Sequence, residues 1–112
     1  MARAATTTDA FNAVAEPRRR EILELLSGGE CSVTALVDRL GLAQPQVSKH
    51  LRVLRAVGLV NVREVGQRRV YRINARPLQE IHAWTSRYQT MWDERFDMAD
   101  TVLDELKARE GE

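Results

Sequence analysis

The sequence predicts a mainly α-helical fold with a small β-hairpin, and three observations lead there. Between Val33 and Gly58, apolar residues recur at helical spacing in two short runs separated by a glycine. After Gly58 the period changes to that of strands, in two valine-containing runs around Gly66 and Gln67. From Leu78 to about Lys107 a long apolar and aromatic seam returns, with no glycine or proline inside it. At 112 residues, 44% of them hydrophobic, the chain predicts one domain, or a domain with an extension, and a modest core.

Taken in order, residues 1–8 predict a disordered arm. Asp9 is placed to cap a short helix holding Phe11, Val14 and Ala15. Pro17 suits the first turn of the next helix, where a missing N–H has no intrahelical partner to lose. Ile22, Leu23, Leu25 and Leu26 form the apolar side of that helix, and Gly28 and Gly29 stop it. Arg18, Arg19 and Arg20 are expected to pair with Glu24 and its neighbours. Ser32 caps a helix carrying Val33, Leu36, Val37 and Leu40, which Gly41 ends in a left-handed C′ conformation. A second helix follows from Gln44 to about Val57. There Val47, Leu51 and Leu54 form one stripe at i, i+4 and i+7, and Pro45 lies in the first turn. Helix, glycine-containing turn and helix with a polar, basic outer face make a helix-turn-helix, whose second helix has the width of the DNA major groove.

The strand-period runs predict a hairpin of about 60–65 and 68–73. Both parities of the second run carry an apolar residue, so its register stays open. A basic hairpin straight after a recognition helix reads as a wing, with Arg68 and Arg69 near its tip to reach phosphate or the minor groove. In the last segment Leu78, Ile81, Tyr88, Trp92, Val102 and Leu106 follow a 3,4-type repeat, with Trp84 and Phe96 beside it. A continuous helix of this length would span about 45 Å, too long for a domain of this size to cover. Four of the six aromatic residues fall within the thirteen positions 84–96. Such a seam calls for a second copy of the chain, giving a dimer interface of Phe11, Leu78, Ile81, Trp84, Tyr88, Trp92, Phe96 and Val102. The alternative is a segment folded back on its own domain, with a break near Asp93–Asp97 where acids cluster. The domains expected are therefore a DNA-binding domain at 9–75 and a dimerisation segment at 76–112.

Net charge is only +1, but it is unevenly spread. Residues 44–72 carry seven basic groups against Glu64 alone, whereas 73–112 carry five basic and nine acidic. Positive charge gathers where phosphate binding needs it. Gln44 and Gln46 suit adenine edges, Lys49 suits guanine, and Ser48 and Arg52 suit phosphate or base edges. Both glutamines equally suit a solvated first turn. Arg55 lies further round, where an ion pair is as expected as a DNA contact, and His50 beside the stripe reads as a packed histidine. No nucleophile with a base, glycine-rich phosphate loop or metal-ligand cluster supports an enzyme. Single Cys31 excludes an internal disulfide and a cysteine-only zinc site within one chain. No run is long and apolar enough for a membrane span or a signal peptide, so the expected location is the cytoplasm.

The runs E-P-R-R-R-E-I-L-E-L-L at 16–26, L-A-Q-P-Q-V-S-K-H-L-R-V-L at 42–54, A-V-G-L-V at 56–60 and G-Q-R-R-V-Y-R-I at 66–73 resemble the ArsR family of bacterial winged-helix repressors. The resemblance covers about residues 9–75 closely and implies a homodimer, paired through first and last helices, that represses transcription on an operator. Family members commonly carry serine where this chain has Ala43, so a side-chain cap of ~1 kcal/mol is lost. Many relatives sense metal through a C-V-C pair whose places here are Ser32 and Thr34, with Cys31 one position off. Others use aspartate, histidine and glutamate on the last helix, but this chain has no histidine after His82. The expectation is a repressor of a palindromic operator with no metal site and no cofactor. Two alternatives remain: a ligand-gated repressor whose effector, of unknown chemistry, sits at the aromatic C-terminal interface, and a helical protein-interaction module.

Overall fold

The computed structural model describes residues 9–110, so the arm expected at 1–8 lies outside the described residues. The element order is α1 (Ala10–Val14), α2 (Pro17–Ser27), β1 (Cys31–Ser32), α3 (Val33–Leu40), α4 (Gln44–Ala56), β2 (Val60–Val65), β3 (Arg68–Ile73), α5 (Leu78–Ser86) and α6 (Gln89–Glu110). The chain divides into two compact units after Ile81.

In the first unit each helix starts where its cap chemistry allows. Asp9 Oδ1 accepts from the Asn12 N–H at 2.8 Å, and Ser32 Oγ accepts from the Ala35 N–H at 3.2 Å. Glu16 accepts from the Arg18 N–H ahead of Pro17. Of the arginines that follow, expected to pair with Glu24 and its neighbours, one forms an ion pair among the described residues, and its partner is Glu21. Arg18 bridges Glu21 at 3.1 Å. Arg19 donates to the Ala13 and Asn12 carbonyls at 2.7 and 3.2 Å, and Arg20 to the Val14 carbonyl at 2.6 Å. These cations sit on the last carbonyls of α1, at the negative end of its dipole; Ala13 and Val14 gain side-chain donors there, and Asn12 a second donor beside the Ala15 N–H.

Gly41 closes α3 with φ 67° and donates to the Val37 carbonyl at 2.9 Å, so the chain turns at once into α4. The stripe of α4 is buried as its spacing requires: Val47, Leu51 and Leu54 join Ile22, Leu26, Leu36, Leu59 and Val60 in the core. Each such side chain contributes about 1.5–3 kcal/mol of burial. The core therefore fixes the rotation of α4 and with it the direction of the polar face.

The hairpin lies where the change of period put it, and its register is now defined. Val60 faces Ile73, Val62 faces Tyr71 and Val65 faces Arg68, across a two-residue turn in which Gly66 takes φ 64°. Val60 and Tyr71 point to the core, and Val70 shares the outer side with Arg63, Arg68 and Arg72. A short strand not foreseen from the sequence extends the sheet to order β1-β3-β2, with Cys31 opposite Tyr71 and Ser32 opposite Val70. Glu30, just before it, takes a hydrogen bond of 3.2 Å from Arg63 Nε of β2. Leu78 and Ile81, expected on the seam between copies, pack against the core of their own unit while keeping part of their surface exposed.

The terminal segment 78–107, whose continuity the sequence left open, is two helices, and the break falls at Arg87–Tyr88 rather than at the acids of 93–97. The Thr85 and Ser86 hydroxyls both donate to the His82 carbonyl, at 3.1 and 2.7 Å. The chain tightens there through Arg87 to Trp84 and Tyr88 to Thr85 backbone bonds, each spanning three residues. Hydroxyls competing for a helical carbonyl account for the interruption. No helix among the described residues is long and apolar enough to cross a membrane.

Candidate nucleic-acid interface

The polar face of α4 stands opposite its buried stripe. Gln44, Gln46, Lys49 and Arg52 are exposed and Ser48 is half-buried. Pro45 opens the helix, yet Ala43 at the N-cap offers no side-chain acceptor. Half of a capping box remains: the Ala43 N–H donates to Gln46 Oε1 at 3.3 Å. That contact takes one lone pair of the Gln46 carbonyl and leaves the other, with the amide NH₂, unengaged by it.

Helix α4 and the wing meet along two adjoining clefts. Gln44, Ser48 and Arg52 share the first, of about 260 Å³, with Arg69 of β3. Gln44 joins Arg68 and Arg69 in the second, of about 270 Å³, which the Thr34 side of α3 closes. The fold thus brings together five of the seven residues predicted to touch DNA: Gln44, Ser48, Arg52, Arg68 and Arg69. Gln46 and Lys49 line neither cleft and lie on the exposed side of α4 away from it. Every basic group in the two clefts is unopposed by a lining acid.

The structure also places residues whose role the sequence left open. Arg55 lines the first cleft and takes no part in the ion pairs found among the described residues. Its signal was present in the chain, since Ser48, Arg52 and Arg55 repeat the i, i+4, i+7 spacing of the apolar stripe one position further on. Arg63 is the wing cation that is not free. Hydrogen bonding from Arg63 holds the Glu30 carboxyl below its usual range; partial loss of hydration opposes this, and the charges of Arg63 and Arg72 assist it. His50 sits half-buried at the flank of α4, as a packed histidine would, and its Nδ1 has no hydrogen-bond partner among the described residues.

On the C-terminal side, Trp84 and Tyr88 meet edge to face with centroids 5.5 Å apart. Both are exposed, as are Trp92, Phe96 and Val102, with Phe96 at 67%. Phe11 on α1 is half-buried. Met98, 69% exposed and unremarked in the sequence, belongs to the same uncovered apolar set. Of the residues aligned with relatives' metal ligands, Ser32 is buried and spends its hydroxyl on capping α3. Cys31 is half-buried with Sγ 3.7 Å from the Gly29 carbonyl. No group of three His, Cys, Asp or Glu side chains able to hold a metal occurs among the described residues.

Comparison with known proteins agrees with this architecture. Residues 16–62 match the family described as "Bacterial regulatory protein, arsR family". The chain is 31% identical over 74 residues to the transcriptional repressor SdpR of Bacillus subtilis, covering 66% of this chain and 82% of that one. It is 37% identical over 81 residues to the HTH-type transcriptional regulator Rv2034 of Mycobacterium tuberculosis, covering 72% and 76% respectively. The solved structure of an ArsR-like transcriptional regulator from Rhodococcus sp. RHA1 superposes with a TM-score of 0.62 at 30% identity, covering 82% of this chain and 87% of that one. A buried-stripe recognition helix, a basic hairpin beside it and relatives matched over most of their length lead to one conclusion: the chain is a winged helix-turn-helix protein of the ArsR family of bacterial transcriptional regulators, and not an enzyme.

Proposed function

We infer that the chain is a sequence-specific transcriptional repressor that binds a palindromic operator as a homodimer and needs no metal to release it. The single observation that carries this is the cleft shared by Gln44, Ser48 and Arg52 of α4 with Arg69 of the wing, cationic and free of acids. A helix seated in the major groove by its outer face brings that cleft against the adjoining backbone, while Gln46 and Lys49 reach base edges. Pairing through the terminal helices is supported by the uncovered Trp84, Tyr88, Trp92, Phe96 and Val102, which a second copy would bury. Metal independence is supported by the capping duty of Ser32, whose hydroxyl, at one of the places relatives fill with cysteine, is committed to the Ala35 N–H.

On an operator recovered by selection, Gln46→Ala with Lys49→Ala should weaken specific binding by about 1–3 kcal/mol per lost base contact. Binding to unrelated duplex should change less. Equal losses on both duplexes would make α4 an anchor rather than a reader. Zn²⁺ or arsenite should leave the complex intact, and release by either would assign a metal inducer.

A further inference from the structure

We propose that the cleft between α4 and β3 is a seat for a phosphate oxyanion, and that Arg55 completes it. Arg52 and Arg55 of α4 and Arg69 of β3 line this one cleft, with Ser48 beside them as a hydroxyl donor. No acid lines it, and neither ion pair found among the described residues draws one of these arginines away. Three permanent cations thus share one small space, with Glu64 of β2 across the ladder from Arg69 but outside the lining. The floor is Leu51 and Tyr71, 1% and 7% exposed, so the base of the cleft is dry and the guanidinium–oxyanion attraction is screened less than in open water. At about 260 Å³ the space has ample room for a phosphate group between the three guanidinium groups. The placement is not a matter of one rotamer. Ser48, Arg52 and Arg55 stand on one flank of a helix whose rotation the core fixes, and Arg69 faces Glu64 in a defined register on the strand beside it.

The seat deepens the DNA-binding inference and rests on it for the source of the anion, which is a backbone phosphate of the bound duplex. A free phosphate offers the same chemistry, and the test separates the two. The full chain and its Arg55→Gln and Arg55→Lys variants are titrated onto a mixed-sequence duplex of about 30 base pairs, room for two half-sites a turn apart, across a range of salt. In parallel, heat midpoints are compared in inorganic phosphate and in chloride at equal ionic strength, with circular dichroism verifying that each variant folds. Arg55→Gln should lower the slope of log affinity against log salt by about 0.9, the worth of one phosphate contact, and Arg55→Lys should restore it. A phosphate-dependent rise in midpoint that Arg55→Gln loses extends the seat to the free anion, and the lack of any rise assigns it to the duplex alone. An unchanged slope together with no Arg55-dependent response to phosphate overturns the proposal. Should the wild-type chain ignore duplex but gain stability from phosphate through Arg55, the seat stands and the DNA-binding inference falls.

Discussion

Gln46 Oε1 accepts from the Ala43 backbone N–H at 3.3 Å, which takes one of its two lone pairs. The second lone pair and the amide NH₂ remain for a bidentate bond to an adenine edge, so one side chain can cap α4 and read a base. Glu30 holds the other informative side chain. Its carboxyl is depressed from an ordinary value near 4.5, chiefly by the hydrogen bond from Arg63. A depressed carboxylate stabilises the folded chain above its unfolded-state value and stops doing so as pH falls through the folded one. Heat midpoints of the wild type and Glu30→Gln should therefore differ at neutral pH and converge on acidification. A gap that persists or widens in acid would contradict the pairing. The same bond ties the loop before β1 to β2, so Arg63 is withdrawn from the cations the wing can offer DNA.

Among the elements, α3, α4 and the hairpin were legible because their signals are local: the stripe Val47, Leu51, Leu54, the left-handed Gly41, and the change of period at Gly58. Strand β1 was not. Two residues carry no alternation, and Cys31 and Ser32 become a strand only because β3 lies beside them. The capping of α1 by Arg19 and Arg20 was hidden for a similar reason, since it joins side chains to carbonyls six and seven residues back across a chain reversal. Most of the candidate interface could be named from α4 and the wing tip, but their sharing of one cleft with Arg55 depends on how the hairpin packs. The break after α5 was misplaced because acids on a helix surface are well solvated, whereas Thr85 and Ser86 compete directly for the His82 carbonyl. Thr85→Ala with Ser86→Ala should extend helical backbone chemical shifts through Arg87 and Tyr88. Unaltered shifts there would place the cause of the break elsewhere.

At the scale of the whole chain, charge and apolar surface are divided between different segments. Residues 44–72 are strongly basic, whereas 73–112 hold nine acids against five basic groups and expose Trp84, Tyr88, Trp92, Phe96 and Val102. An acidic segment is repelled by phosphate, so its apolar residues suit contact with protein rather than with DNA. Trp92→Ala should shift the chain toward the monomer in sedimentation at a fixed concentration, and an unmoved dimer would put the interface elsewhere. Dimerisation and DNA reading meet in one measurement, the selection of bound duplexes from a random pool followed by titration of the winners across salt. Two copies, each presenting α4 and a wing, should enrich an inverted repeat with half-site centres about 34–36 Å apart and bind it with a steep inverse dependence on salt. Enrichment of a single unrepeated site, or binding indifferent to salt, would contradict it.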